Sequence, residues 1–297
     1  MKTVRVALRI GYFGDRFKGS QYQPDVTTVQ GEIEAALHRL NWGRERAHPL
    51  EMSSRTDAGV SARANLGVFD LPANVWADIG AKGVVLAIND QLGEGVAVAA
   101  ACHVEDGVRI RGAHGRGYLY RLQGMRAWPD GGVDVATFAR WCALFEGEHD
   151  FTNFSRPEPS RSPIRLIYRC RPWVDHSGKV IGFSVEGESF VWNQVRRIAS
   201  ALCRLASGEA SEAEVRQALD EPAQPIDLGL APSKWLVLWN VDHRSIAIGE
   251  SEMRVPDIDA GTPPAGRARK LWEASAQREQ ETMLLAEWLE SIIEGAN

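Results

Sequence analysis

Ser54-Arg55-Thr56-Asp57-Ala58-Gly59-Val60-Ser61-Ala62 gathers an arginine, hydroxyls, a carboxylate and a glycine into one short stretch. Asp57 stands there as an acid on a turn. Gly59 can take positive φ, and Arg55 can keep the carboxylate ionised by lowering its pKa. A carboxylate so placed with a cationic neighbour suits nucleophilic attack on an electrophilic sugar or ring carbon. Hydrolysis by an activated water more often wants two carboxylates. An Asx-turn, in which the aspartate satisfies only its own backbone, is the structural alternative. Other chemistries find little support. His38, His48, His103, His114, His149, His176 and His243 never pair at ligand spacing with one another or with Cys102, Cys142, Cys170 and Cys203, so no metal site is expected. The H-x-E and P-C-x-x-C pattern of zinc deaminases is missing, as are G-x-S-x-G, GxGxxG and GxxxxGK[ST]. His149-Asp150 offers a base beside a carboxylate, but sequence neighbours in a strand point to opposite faces.

The elements that must hold Asp57 follow from periodicity. Val4, Val6, Leu8 and Ile10 alternate with Arg5, Ala7 and Arg9, a half-buried strand ending at Gly11-Tyr12-Phe13-Gly14-Asp15. Arg16 to Gln23 is a polar, aromatic loop. Thr27 with Gln30 forms a capping box for a helix whose Val29, Ile33, Ala36, Leu37 and Leu40 share one face, ending near Asn41 or Gly43. After Asp57, alternation over Asn65 to Asp70 predicts a half-buried strand. Pro72 to Gly83 reads as a short helix with Val75, Ile79 and Trp76 inward. Val84 to Ile88 and Val96 to Val104 read as strands.

A second run opens at Val108. Tyr118, Tyr120 and Leu122 share a strand face, and Asp134 caps a helix carrying Phe138, Trp141 and Phe145. Glu146 to Arg165 is loop-like. Phe154 between Asn153 and Ser155 has the interleaving of RNA-facing loops, although a loop tucking in two phenylalanines explains it as well. Leu166 to Val174 and Val180 to Val185 form a hairpin around Asp175 to Lys179. Val191, Val195, Ile198, Leu202 and Leu205 mark a long helix stopped near Gly208. Arg196 and Arg197 lie near its start, about 100° apart around the axis, so at most one can enter a cleft there. Ser211 and Glu214 cap the next helix, and Trp235 to Val241 is the last core strand. The strand-helix-strand order recurs, which predicts an α+β protein of two similar domains over 1–107 and 108–245. A loop and amphipathic helix follow over 246–297, with Leu271, Leu284, Leu285, Trp288, Leu289, Ile292 and Ile293 on broad apolar faces suited to the body or a partner subunit.

Composition narrows the setting. The 297 residues carry a net charge of -5, which argues against a polybasic nucleic-acid sleeve. Most cations are arginines, however, and Arg156, Arg161, Arg165, Arg169 and Arg171 cluster in one stretch suited to phosphates and base stacking. A biased genome would also produce an arginine excess. No apolar run approaches the ~18 residues that span a bilayer, the start is too charged for a secretory signal, and the cysteines are scattered. The expectation is a cytoplasmic protein with no membrane contact.

The sequence resembles the TruA-type family of tRNA pseudouridine synthases, and the general pattern looks closer to archaeal members than to bacterial ones. Ser54 to Ala62 matches the family's G-R-T-D-x-G-V-H-A with serine at both the glycine and the histidine positions. Tyr12 to Gln21 corresponds to Y-D-G-T-x-F-x-G-W-Q, with Phe13 at its aspartate and Ser20 at its tryptophan. Thr28-Val29-Gln30-Gly31 fits T-V-Q-G, and Tyr118-Leu119-Tyr120 fits the R-Y-x-Y strand. Phe145 to Phe151 fits F-x-G-x-H-D-F. Phe190 to Arg196 fits F-L-x-x-M-V-R with Gln194 at the methionine. These landmarks span roughly residues 4 to 245, and the extension beyond Arg244 lies outside them.

The resemblance implies the pseudouridine synthase fold, two α+β domains with mixed or antiparallel sheets around a cleft. It implies conversion of uridine to pseudouridine at positions 38 to 40 of the tRNA anticodon arm by base flipping, with no cofactor and no metal, in a homodimer. Asp57 would be the nucleophile, Tyr118 would stack on the base and share in proton transfer, and Arg196 would pair with Asp57. Arg55 would hold the flipped nucleotide or the backbone. Thr56, Arg16, Lys18, Gln21, Tyr120 and His149 fall on the RNA-binding side of the same motifs, joined by Phe154, Arg156, Arg161 and Arg165 of the loop. Two alternatives stay open: a synthase with another RNA target, and a catalytically weak RNA-binding protein or tRNA chaperone on this fold.

Overall fold

A computed structural model describes residues 2–43, 47–158, 161–248, 253–258, 261, 263–264 and 268–295. In chain order the elements are β1 (Thr3–Tyr12), α1 (Val29–Arg39), β2 (Glu51–Met52), β3 (Ser61–Pro72), α2 (Ala73–Asn89), β4 (Val96–Val104) and β5 (Gly115–Arg121). They continue with α3 (Val135–Ala143), β6 (Gly147–Asp150), β7 (Ile164–Val174), β8 (Val180–Gly187), α4 (Gln194–Ser207), α5 (Glu212–Asp220), β9 (Leu236–Asp242) and α6 (Ala268–Glu294). The chain divides into two units. The first holds 1–114, 237–252 and 280–297, and the second holds 115–236 and 253–279.

In the first unit the strand order is β4-β1-β3-β9, with β2 also on β3. β1 runs antiparallel to β3 and β4, whereas β9 joins the start of β3 in parallel, Ser61 opposite Val237 and Ala62 opposite Leu238. This makes the sheet mixed and the fold α+β. Alternation over 65–70 predicts a half-exposed strand, but burial is continuous from Ala64 to Phe69. Both faces are covered: Leu66 and Val68 point one way, Asn65, Gly67 and Phe69 the other, where Trp42 lies 6.5 Å from Phe69.

Two local expectations shift. The cap of α1 is Thr28, whose hydroxyl accepts from Gly31 N–H, while Gln30 turns back to accept from Tyr22 N–H. Val84 to Ile88, expected as a strand, is the second half of α2. Gly80, at φ 59° and ψ −168°, breaks the helix and lets it resume. Val84, Val85 and Ile88 then face inward at helical spacing while Leu86 stays exposed, so the β-branched run serves a helix face. Ile79, expected inward, is exposed because it precedes that break.

The second unit is antiparallel, in the order β5-β8-β7-β6, with Tyr118 opposite Val185 and His149 opposite Arg165. The hairpin turns on Asp175, whose carboxylate accepts from Ser177 N–H, Ser177 Oγ and Lys179 N–H. Helix α4 carries Val195, Ile198 and Leu202 into the core and stops at left-handed Gly208. Helix α5 has the expected Ser211–Glu214 capping box. On α6 the buried residues form a narrow stripe, Ala276, Gln280, Leu284 and Trp288, while Leu271, Leu285, Leu289 and Ile293 remain exposed. Among the described residues no helix is long and apolar enough to cross a membrane.

Candidate active site

Asp57 lies half-buried on the connection from β2 to β3. The turn closes through Val60 N–H on the Asp57 carbonyl at 3.1 Å, with Gly59 at φ 84°, the conformation its position requires. The residues before it are tied into a buried network of neutral groups. Thr56 N–H donates to Ser20 Oγ at 2.8 Å, and Ser20 N–H donates back to the Thr56 carbonyl at 3.1 Å. Thr56 Oγ1 and the Tyr12 hydroxyl share a 2.8 Å hydrogen bond. Asn65 Nδ2 donates to Tyr12 OH at 3.3 Å and to the Ser54 carbonyl at 2.9 Å, while its Oδ1 accepts from Ser54 N–H at 3.3 Å. Burial pushes the Tyr12 phenol up, against the opposing hydrogen bonds from Thr56, Asn65 and Ser20, so it keeps its proton.

The loop after β1 closes over the turn from the other side. Gly14 N–H donates to Ser61 Oγ at 3.0 Å, and its carbonyl accepts from Gly59 N–H at 3.1 Å. A Cβ at Gly14 would collide with the backbone of Gly59 and Val60, so only glycine permits this approach. Tyr12, Asn65 and Ser61 are framing residues that the sequence does not single out, and Ser20, a departure from the family motif, anchors Thr56. A polar Asn65 inside an apolar strand was the one available signal. Of the remaining first-unit candidates, Arg55 and Lys18 are exposed, Gln21 is half-buried, and Arg16 is exposed beside Asp15 at 3.6 Å.

In the second unit Tyr118 lies at the middle of β5, buried, with its ring edge-on to Phe190 at 5.2 Å. Arg196 sits in the first turn of α4. Its Nε donates to the Ala231 carbonyl at 2.8 Å and its guanidinium to Asn193 Oδ1 at 3.2 Å. Asn193 takes φ 67°, a left-handed conformation that starts the helix abruptly there. The neighbouring Arg197 turns away to Asp227 at 2.9 Å, as the helical angle requires.

Of the residues expected on the RNA-binding side, Phe154 and Tyr120 lie inside the second unit and His149 is half-buried. Phe154 is fully buried, 5.3 Å from Phe145 and 6.2 Å from Phe151, because the loop folds a phenylalanine cluster into the core. Tyr120 is fully buried with its hydroxyl donating to the Pro232 carbonyl at 2.8 Å, and burial pushes its phenol up. His149 Nε2 bonds the Glu146 carbonyl at 2.9 Å, and burial lowers the imidazole pKa. The arginines divide. Arg161 pairs with Glu158 at 3.5 Å, Arg165 reaches the Ser162 carbonyl at 2.7 Å, and Arg171 pairs with Glu146. Exposed Arg156 lies 4.1 Å over the ring of Trp192, itself 40% exposed, a planar cation on an aromatic that a nucleobase could extend.

A family model described as tRNA pseudouridine synthase matches residues 141–243. A protein of Methanoculleus marisnigri named tRNA pseudouridine synthase A is 34% identical over 247 residues, 81% of this chain and 83% of that one. Those of the same name from Thermococcus sibiricus and Mesorhizobium japonicum are 34% and 33% identical, covering 82% and 80% of this chain and 86% and 99% of theirs. A weak likeness to a crystal structure of a Cbf5–Nop10–Gar1 complex, with a TM-score of 0.32 and 16% identity over 65% of this chain and 44% of that one, adds nothing to these matches.

Proposed function

This chain belongs to the tRNA pseudouridine synthase family, and on that premise we propose that it isomerises uridine to pseudouridine at positions 38 to 40 of the tRNA anticodon arm, with Asp57 as nucleophile. The observation that carries the reading is Asp57 itself. It is the acid of the matched signature, half-buried on a turn whose flanking residue Thr56 is fixed by buried hydrogen bonds. Such a frame holds the turn that carries the carboxylate in one arrangement, which is what preorganised attack needs.

The reaction is redox-neutral and complete in its atoms. The bond between the sugar C1′ and uracil N1 breaks, the ring turns, C1′ bonds to C5, and the proton leaving C5 is balanced by one gained at N1. Asp57 supplies the electron pair of the first attack and leaves unchanged. Tyr118 and Arg196 keep the roles that the resemblance implies. Stacking and phosphate contacts fall to exposed groups, Arg55, Arg16, Lys18, Arg156 and Arg161, rather than to the buried Tyr120 and Phe154 or the half-buried His149. The target base must leave its stack, which costs least in and beside loops. The reading includes a homodimer working in the cytoplasm, which sedimentation of the purified protein checks for its assembly.

Mapping pseudouridine position by position in unmodified tRNA incubated with the protein tests the proposal. Product at positions 38 to 40 is expected. Product elsewhere would keep the chemistry and overturn the target, and tight binding without product would favour an RNA-binding protein or chaperone.

A further inference from the structure

The last part of α6, outside the matched motifs, presses on the loop that frames Asp57. Trp288 is 3% exposed and lies against Phe13, with ring centroids 4.8 Å apart. Its indole N–H donates to the Arg63 carbonyl at 3.1 Å. It also fills the space over Gly11, where a Cβ would collide with the indole. Gly11 sits at the register shift between Ile10 and Tyr12 in the β1–β3 pairing, so the indole occupies an irregularity of the sheet rather than a flat face. The neighbouring Glu287 accepts from Arg63 Nε at 2.7 Å, and the Arg63 guanidinium lies 4.9 Å over Trp239.

These contacts flank the Asp57 turn on both sides of its frame. Phe13 immediately precedes Gly14, whose backbone bonds Ser61 and Gly59. Arg63 follows Ser61 by two residues. The Gly14 backbone sits so close to Gly59 and Val60 that a shift of one moves the other. Phe13 stands where the resembling family carries an aspartate, and here it supplies the apolar partner for the indole.

We propose that Trp288, assisted by Glu287, is a positioning residue: it fixes the Asp57 turn through Phe13–Gly14 on one side and Arg63–Ser61 on the other. The inference rests on Asp57 being the nucleophile. A helix that merely stabilised the unit would be replaceable without effect on the chemical step. A positioning helix is not, because displacements of about 1 Å cost about a hundredfold in rate.

The test compares Trp288→Ala, Trp288→Phe and Leu284→Ala in the full chain, at a temperature where circular dichroism shows each folded. Three quantities are read: the single-turnover rate of pseudouridine formation with enzyme in excess, the tRNA Kd, and amide exchange in peptides covering 11–14 and 53–61. Trp288→Ala is expected to slow the chemical step by about tenfold or more, to leave Kd within about twofold, and to speed exchange in 53–61. Trp288→Phe keeps a ring against Phe13 but loses the donor to Arg63, so it falls between. Leu284→Ala, one turn earlier on the same buried stripe, is expected to lower the melting temperature with the chemical step within about twofold. Wild-type turnover and exchange in Trp288→Ala, or an equal loss in Leu284→Ala, would overturn the proposal. If Trp288→Ala does not fold, Trp288→Phe and Glu287→Gln decide by the same readings. Should the intact protein make no pseudouridine, the reading of the reaction fails on its own, and exchange in 53–61 still decides whether Trp288 holds the turn.

Discussion

The two regions assigned to the proposed reaction are built in opposite ways. The Asp57 turn is framed by neutral hydroxyl, amide and backbone groups, buried and drawn from sequence-distant segments: Tyr12, Ser20, Ser54, Thr56 and Asn65. The hairpin and loop of the second unit carry exposed arginines held by partners close in sequence or across one ladder, as with Arg161 on Glu158 and Arg171 on Glu146. The first construction gives rigidity, since a satisfied buried network has one low-energy arrangement. The second gives adaptability, since surface ion pairs are worth little and exchange readily for phosphates. Substitutions in the first region should strike stability and turnover, and those in the second should strike RNA affinity.

The largest effect expected is at Asn65. Asn65→Ala removes the 3.3 Å and 2.9 Å hydrogen bonds of the Asn65 amide to the Ser54 backbone N–H and carbonyl and takes a donor from Tyr12, a loss on the order of 3 kcal/mol in urea unfolding, with turnover falling alongside. A cost under about 0.5 kcal/mol would break the contrast, since surface sites behave that way. In the second region, Arg156→Ala should weaken tRNA binding by about tenfold while turnover at saturating tRNA holds. Arg156→Lys should recover only part of it, because an ammonium lacks the planar stack on Trp192. Binding measured against salt concentration should show a slope shallower by about 1 if Arg156 meets one phosphate. Tyr12→Phe removes a hydroxyl but keeps the ring, so about 1 kcal/mol of stability is expected to go.

The smallest effect is a pH dependence in the second unit. Burial lowers the His149 pKa from its ordinary 6.5, so the unfolded chain binds the proton more readily. The stabilisation is complete above about 6.5 and is lost as pH falls from there through the folded pKa. Melting temperatures from pH 7.5 down to 5 should show a slight fall that His149→Gln flattens.

Much of this fold is legible locally. The alternation of β1, the Ser211–Glu214 box, the Gly208 stop and the Asp175 turn each carry their cause within a few residues. What was not legible depends on distant partners. Val84 to Ile88 has strand composition, and only the break at Gly80 turns it into a helix face. Phe154 reads equally well as a stacking platform or a core residue, and two other phenylalanines decide the matter. Asp57 is legible through its motif, but its frame is not, because Tyr12 meets Thr56 and Asn65 only once β1 and β3 pair in register. In the sequence Asn65 itself marks only the start of a strand.

The most direct test of the central claim is single-turnover conversion of unmodified tRNA by the intact protein beside Asp57→Asn, a near-isosteric change that keeps size and removes the nucleophile. The account predicts pseudouridine with the intact protein, none above background with the variant, and tRNA affinity preserved in both. Product formed by Asp57→Asn at a rate near that of the intact protein would contradict it.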